Sequence, residues 1–382
     1  MGLKECQIFF DNPYSTYYAG QTVNGRVVFS FDSTKKVRGV YIVFKGEAQT
    51  GWAIEESRTN DQTHETEKER IDLSGSEEYF KTQYYLIGGA GGGEHELPAG
   101  TKEFPFTCVL PPTLPSSFEG EFGHVRYTVK VVLDRPWKFD QETKAAFTVL
   151  SPVDLNANPS LKDPQRITME KFFCCFCCKS GPLTCIVSIP KRGYVPGETI
   201  PLVSEVDNAS NVEVQSVQFV FRKVVNYVSQ RPQRETRKDI VVLETISVGP
   251  VPGHESKTWN QPLVIPSLPP SNLVNCSLID LDYELYIEAK VTGLHSNLTA
   301  QIPLTIGTIP MRESLPQPSA PPAGGDALAG WANPGGIYPS VPTLTESQFG
   351  ARHLRDSDDN EYTRMNNDTF RPNYPVFNFT NT

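Results

Sequence analysis

A chain of 382 residues with a formal net charge of −9 has room for two ordinary domains and a tail, and no stretch of it is basic enough to suggest a nucleic-acid binder. No run of about 18 consecutive apolar residues occurs, and the start, Met1-Gly2-Leu3-Lys4-Glu5-Cys6, lacks the apolar stretch of a signal peptide. A cytoplasmic protein is expected, with its eight cysteines mostly reduced thiols.

Through residue 308, short runs of Val, Ile, Phe, Tyr and Thr separated by Gly and Pro clusters predict many strands and an all-β protein. Ala19-Gly20-Gln21 reads as a tight turn feeding a strand. In Val40-Tyr41-Ile42-Val43-Phe44-Lys45, alternation puts Val40, Ile42 and Phe44 on one face. Gly88-Gly89-Ala90-Gly91-Gly92-Gly93 has no Gly-Lys-Ser/Thr ending and no helix pattern after it, so it reads as a flexible loop rather than a phosphate cradle. Val125, Tyr127, Val129, Val131 and Leu133 alternate with His124, Arg126, Thr128 and Lys130, the pattern of a half-buried antiparallel strand. The densest basic groups are Lys35, Lys36 and Arg38, and then Arg231, Arg234, Arg237 and Lys238. Each reads as a solvated loop.

These features place a first domain at 1–151 and a linker at 152–180. The linker holds Phe172-Phe173-Cys174-Cys175-Phe176-Cys177-Cys178-Lys179. A zinc site would need a second ligand pair at finger spacing, and the other cysteines and the six histidines do not form one. A redox pair would sit at a helix N-terminus, which an all-β context does not offer. Two readings stay open for Cys174, Cys175, Cys177 and Cys178: S-acylation beside Phe and Lys residues that approach a membrane, or a buried apolar interdomain segment.

The chain then repeats itself. Tyr17, Gly20, Thr22, Val23, Val37, Val40, Ile42, Val43, Phe44 and Lys45 correspond without gaps to Tyr194, Gly197, Thr199, Ile200, Val214, Val217, Phe219, Val220, Phe221 and Arg222, always 177 positions on. The later strand recurs as Leu281, Tyr283, Leu285, Ile287 and Ala289. Duplicated strand patterns imply a duplicated domain, so a second sandwich is expected at 181–308. His residues are dispersed and no nucleophile arrangement stands out, so no catalysis, cofactor or metal is expected.

Gly100-Thr101-Lys102-Glu103-Phe104-Pro105-Phe106, Leu110-Pro111-Pro112-Thr113-Leu114-Pro115-Ser116-Ser117-Phe118-Glu119-Gly120, Val125-Arg126-Tyr127 and Asp134-Arg135-Pro136-Trp137 fall in one order. With Gly193-Tyr194-Val195-Pro196-Gly197-Glu198 and Asp282-Tyr283-Glu284-Leu285 they resemble the α-arrestins, the arrestin-domain-containing and thioredoxin-interacting proteins. The resemblance implies two tandem arrestin-like antiparallel β-sandwiches, immunoglobulin-like in kind, followed by a disordered C-terminal tail. It implies a non-enzymatic adaptor for cytosolic regions of membrane receptors or transporters in endocytic and endosomal traffic, peripherally at plasma membrane and endosomes. A thioredoxin-binding regulator is the alternative it permits.

Residues 309–382 turn to Pro, Ser, Gly, Ala, Asn and Asp, too little apolar surface to offset the entropy of ordering. Pro318-Ser319-Ala320-Pro321 has the pattern read by the UEV domain of ESCRT-I. No Pro-Pro-x-Tyr occurs, so direct recruitment of a HECT ubiquitin ligase is not expected. Three pairs fit tyrosine sorting signals for clathrin adaptors: Tyr338 with Val341, Tyr362 with Met365, and Tyr374 with Phe377.

Overall fold

The computed structural model describes residues 3–59, 66–137, 139–175, 178–179, 181–314, 331, 341–350, 352–356, 358–367 and 369–379. The first half contributes β1 (Leu3–Phe10), β2 (Thr16–Tyr18), β3 (Thr22–Phe31), β4 (Lys35–Val37), β5 (Gly39–Thr59), β6 (Thr66–Gly88), β7 (His95–Leu97), β8 (Gly100–Val109), β9 (Phe118–Glu119), β10 (Gly123–Asp134) and β11 (Gln141–Leu150). Strands β1-β3-β8 form one sheet and β2-β11-β10-β5-β6 the facing one. The inward residues read from the alternation, Val40, Ile42, Phe44, Val125, Tyr127, Val129, Val131 and Leu133, are all buried.

The second half repeats the plan with β12 (Gln165–Lys171), β13 (Cys174–Cys175), β14 (Cys178–Lys179), β15 (Leu183–Ile189), β16 (Gly193–Tyr194), β17 (Thr199–Asn208), β18 (Val214–Val228), β19 (Thr236–Val248), β20 (Glu255–Val264), β21 (Ile279–Val291) and β22 (Leu298–Ile306). Sheet β12-β15-β17-β20 faces β16-β22-β21-β18-β19. The duplication extends to single hydrogen bonds. Tyr127 donates to the Pro115 carbonyl at 2.6 Å, and Tyr283 to that of Pro269 at 2.8 Å. Likewise the Ser117 hydroxyl accepts from the Val149 amide and the Ser271 hydroxyl from the Ile306 amide, each at 2.9 Å. A tyrosine buried on both sides of its ring needs such a partner for its hydroxyl.

The halves meet through the β5–β6 hairpin. Thr50 Oγ1 donates to the Val228 carbonyl at 2.7 Å, the Ser74 amide to that of Arg231 at 2.8 Å, and the Ser277 hydroxyl to Glu77 at 2.9 Å. Phe122 packs edge-on to Tyr227 at the same junction.

Within the Pro-rich tail, described parts of 341–379 lie on the body as β23 (Thr343–Glu346), β24 (Arg352–His353), β25 (Thr363–Met365), β26 (Thr369–Phe370) and β27 (Asn373–Val376). Strand β23 pairs with β27 and β24 with β26, while β25 pairs in parallel with β11. A few spaced anchors suffice: Leu344, Tyr374 and Phe377 join Tyr18, Leu150, Leu155, Leu161, Val195 and Met311 in a second small core between the halves. Among the described residues no helix is long and apolar enough to cross a membrane.

Candidate functional site: a cationic sheet face held by the tail

The outward face of β5, β10 and β11 is set by register. Arg126 lies opposite Glu47 and Thr128 opposite Lys45 on β5, and Lys130 lies opposite Lys144 on β11. Side chains separated by two on one strand share a face, so three adjacent strands gather Lys45, Arg126, Lys130 and Lys144 into one patch. This face was legible only as polar. Its cations come from three separate strands, none of them among the densest basic groups of the sequence.

Those other groups sit elsewhere. Lys36 pairs with Glu94 at 3.6 Å, Arg38 with Asp134 at 2.6 Å, and Arg237 stacks over the Phe122 ring at 3.7 Å.

The tail's acidic turn covers the patch. Asp356 accepts from Arg126 at 2.9 Å and from Lys144 at 2.5 Å; Asp359 accepts from Lys144 and Lys130, each at 3.1 Å; and Asp358 pairs with Lys45. Arg126 is also held in a two-pronged bond by Glu119, at 2.9 and 2.8 Å, the fork geometry that fixes a guanidinium most firmly. Arg126 and Lys144 are 3% and 2% exposed although they face outward. The Lys45 bond holds the Asp358 carboxyl below the usual carboxylate range. Burial pushes that of Asp359 up, but the Asp356 amide and the two lysines outweigh it, leaving it low.

Beside this turn the tail adds a strand to the open edge of β11, with Thr363, Arg364 and Met365 opposite Glu142, Thr143 and Lys144. Thr363 Oγ1 donates to Glu142 at 2.5 Å, and the Asn366 side chain both accepts from the Ile8 amide and donates to the Ile8 carbonyl. Strand addition plus charge pairing is how an extended acidic segment is gripped.

Tyr374 and Phe377 are buried; Tyr374 donates to the Ser117 carbonyl at 2.8 Å and the Phe377 amide to that of Pro196 at 2.9 Å. In this arrangement the side chains of this expected sorting pair pack in the core between the halves. Tyr362 stacks on Phe139 with ring centres 5.2 Å apart, Met365 is half-buried in β25, and Val341 is exposed. Pro318, Ser319, Ala320, Pro321 and Tyr338 lie outside the described residues, as does Cys177. Cys174, Cys175 and Cys178 fall in the two-residue strands β13 and β14. Among the described residues no cluster of three His, Cys, Asp or Glu side chains could hold a metal ion.

Two tandem sandwiches of duplicated topology place the chain in the arrestin class of protein. The model of the arrestin (or S-antigen) N-terminal domain matches residues 6–156, and that of the C-terminal domain matches 179–311. Arrestin domain-containing protein 17 of Caenorhabditis elegans is 34% identical over 324 residues, 82% of this chain and 72% of that protein. Arrestin domain-containing protein 4 of Mus musculus is 30% identical over 313 residues, 79% of this chain and 71% of that protein. The chain belongs to the arrestin domain-containing proteins, the α-arrestins.

Proposed function

We propose that this chain is an adaptor that works by binding rather than chemistry, holding a cytosolic segment of a membrane receptor or transporter on the face of β5, β10 and β11. The observation behind the reading is the tail itself. An extended segment with an acidic turn already lies there, paired as a strand at the edge of β11 and by carboxylates with Arg126, Lys130 and Lys144. A surface that takes one such segment in cis has the chemistry to take another in trans.

In this reading the remaining tail motifs connect cargo to endosomal sorting: Pro318, Ser319, Ala320 and Pro321 to ESCRT-I, and Tyr338 with Val341 or Tyr362 with Met365 to clathrin adaptors. Tyr374 and Phe377 become available once the tail lifts. Cys174, Cys175, Cys177 and Cys178 supply the acylation sites of a protein peripheral to plasma and endosomal membranes. Direct recruitment of a HECT ubiquitin ligase is not part of this reading, for want of Pro-Pro-x-Tyr.

The competing reading, capture of thioredoxin, needs an accessible low-pKa thiol. Burial pushes Cys6, Cys108 and Cys185 up to about 11 and Cys276 up as well, which weighs against those four. Proximity labelling tests the adaptor reading. Endosomal membrane proteins and ESCRT-I are expected around the intact chain, with ESCRT-I lost when Pro318, Ser319, Ala320 and Pro321 are all replaced by alanine. Labelling dominated by thioredoxin and soluble enzymes in both versions overturns it.

A further inference from the structure

The tail grips the first half through contacts of two kinds. Its aspartates meet lysines and an arginine, which attract any carboxylate brought near and so discriminate little between one acidic segment and another. Asn366 works differently. Its backbone amide donates to the Lys144 carbonyl of β11 at 2.8 Å, while its side chain crosses to the other sheet. There it accepts from the Ile8 amide of β1 at 3.2 Å and donates to the Ile8 carbonyl at 3.1 Å. One residue thus staples the edges of both sheets of the sandwich.

Only a primary amide offers a strand edge one donor and one acceptor in a single plane, and Asn is the shorter of the two residues that carry one. A carboxylate of the same shape has two acceptors. It would satisfy the Ile8 amide and set its second oxygen against the Ile8 carbonyl. Three residues earlier, the buried Thr363 hydroxyl donates to Glu142 at 2.5 Å, a place that turns away a carboxylate for the same reason. Both receiving groups belong to paired strands, Ile8 through β3 and Glu142 through β10.

We infer that this face selects its segment by an asparagine in register and not by acidity alone. A cytosolic segment able to displace the tail carries aspartate at its first and fourth positions, threonine at its eighth and asparagine at its eleventh, as the tail does at Asp356, Asp359, Thr363 and Asn366. The inference rests on the reading of this face as the cargo site and names what such cargo presents. Two turns set the spacing. The Asp356 amide donates to Asp359 at 2.9 Å, and the Asn360 amide to the Thr363 hydroxyl at 3.0 Å. From Thr363 the chain runs extended along β11, so three residues carry it about 10 Å to the edge of β1.

The test titrates synthetic peptides of residues 352–367, at constant ionic strength, against the full chain carrying Asp356→Asn with Asp359→Asn to free the face of its own tail. An Asn366→Asp peptide gains a negative charge without changing shape, so attraction by charge alone would make it bind at least as tightly as the native peptide. The inference predicts the opposite, about tenfold weaker binding, from one lost hydrogen bond and a carbonyl left facing an oxygen. A peptide in which Arg364 and Asn366 exchange places keeps composition and charge, and is expected to bind about tenfold more weakly as well. Equal or tighter binding of the Asn366→Asp peptide overturns the inference, as does equal binding of the exchanged one. A native peptide that fails to bind the freed face overturns the reading of that face as a cargo site, and the inference with it.

Discussion

Lys144 is the cation that depends most on the tail. It is buried on the outer face of a sheet, and the carboxylates within reach, Asp356 and Asp359, both come from the tail. Arg126, by contrast, keeps Glu119 from the body whatever the tail does. Removing one partner of a buried pair leaves an uncompensated charge and is far costlier than removing an exposed one. Asp356→Asn is therefore expected to weaken docking by on the order of 2 to 3 kcal/mol, the low end for such a loss because Asp359 remains. Asp358→Asn should cost less than about 1 kcal/mol, since that carboxylate is largely exposed. Exchange protection at 363–366 ranks the two variants, and equal effects would remove the special place given to Lys144.

At the scale of elements, the repeat made most of the fold legible. The turn glycines Gly20 and Gly197, the faces Val40-Ile42-Phe44 and Val217-Phe219-Phe221, and the tyrosines Tyr127 and Tyr283 all occupy matching places in the two sandwiches. The same two glycines also mark where the halves differ. Both have positive φ, +86° and +91°. A Cβ at Gly20 would meet only Pro112 atoms at 3.7 Å, whereas one at Gly197 would lie 2.0 Å from the Phe377 carbonyl oxygen. Gly20→Ala should cost about 1–2 kcal/mol of backbone strain in urea denaturation and leave the tail in place. Gly197→Ala should cost at least that and also expose amides of β27 to exchange; unchanged protection there would contradict the packing of Phe377 on this turn. Less legible was the cationic face. Lys45, Lys130 and Lys144 are neighbours only through strand register, and no periodicity within one segment reveals a pairing between segments.

For the whole molecule, the tail is a clasp with two grips of different chemistry. Asp356, Asp358 and Asp359 hold the first half by charge, while Leu344, Tyr374 and Phe377 fill the small core between the halves. Composition alone points to disorder for 309–382, because a polar, Pro-rich chain cannot build a core of its own. What composition does not register is a surface already folded, against which three apolar anchors and one acidic turn are enough. In the proposed adaptor role a segment held this way exchanges with cargo, which couples cargo binding to release of the tail motifs.

Affinity for a segment with such an acidic turn, measured on the full chain, tests that claim. The probe is a synthetic peptide of the chain's own residues 352–367, titrated against the native protein, the double variant Asp356→Asn with Asp359→Asn, and the same variant carrying Lys144→Met as well. The account predicts that the double variant binds the peptide at least about tenfold more tightly than the native chain, because its own tail no longer competes, and that Lys144→Met removes the gain. Equal affinity in all three would mean that the face of β5, β10 and β11 is a structural seat for the tail and not a binding site.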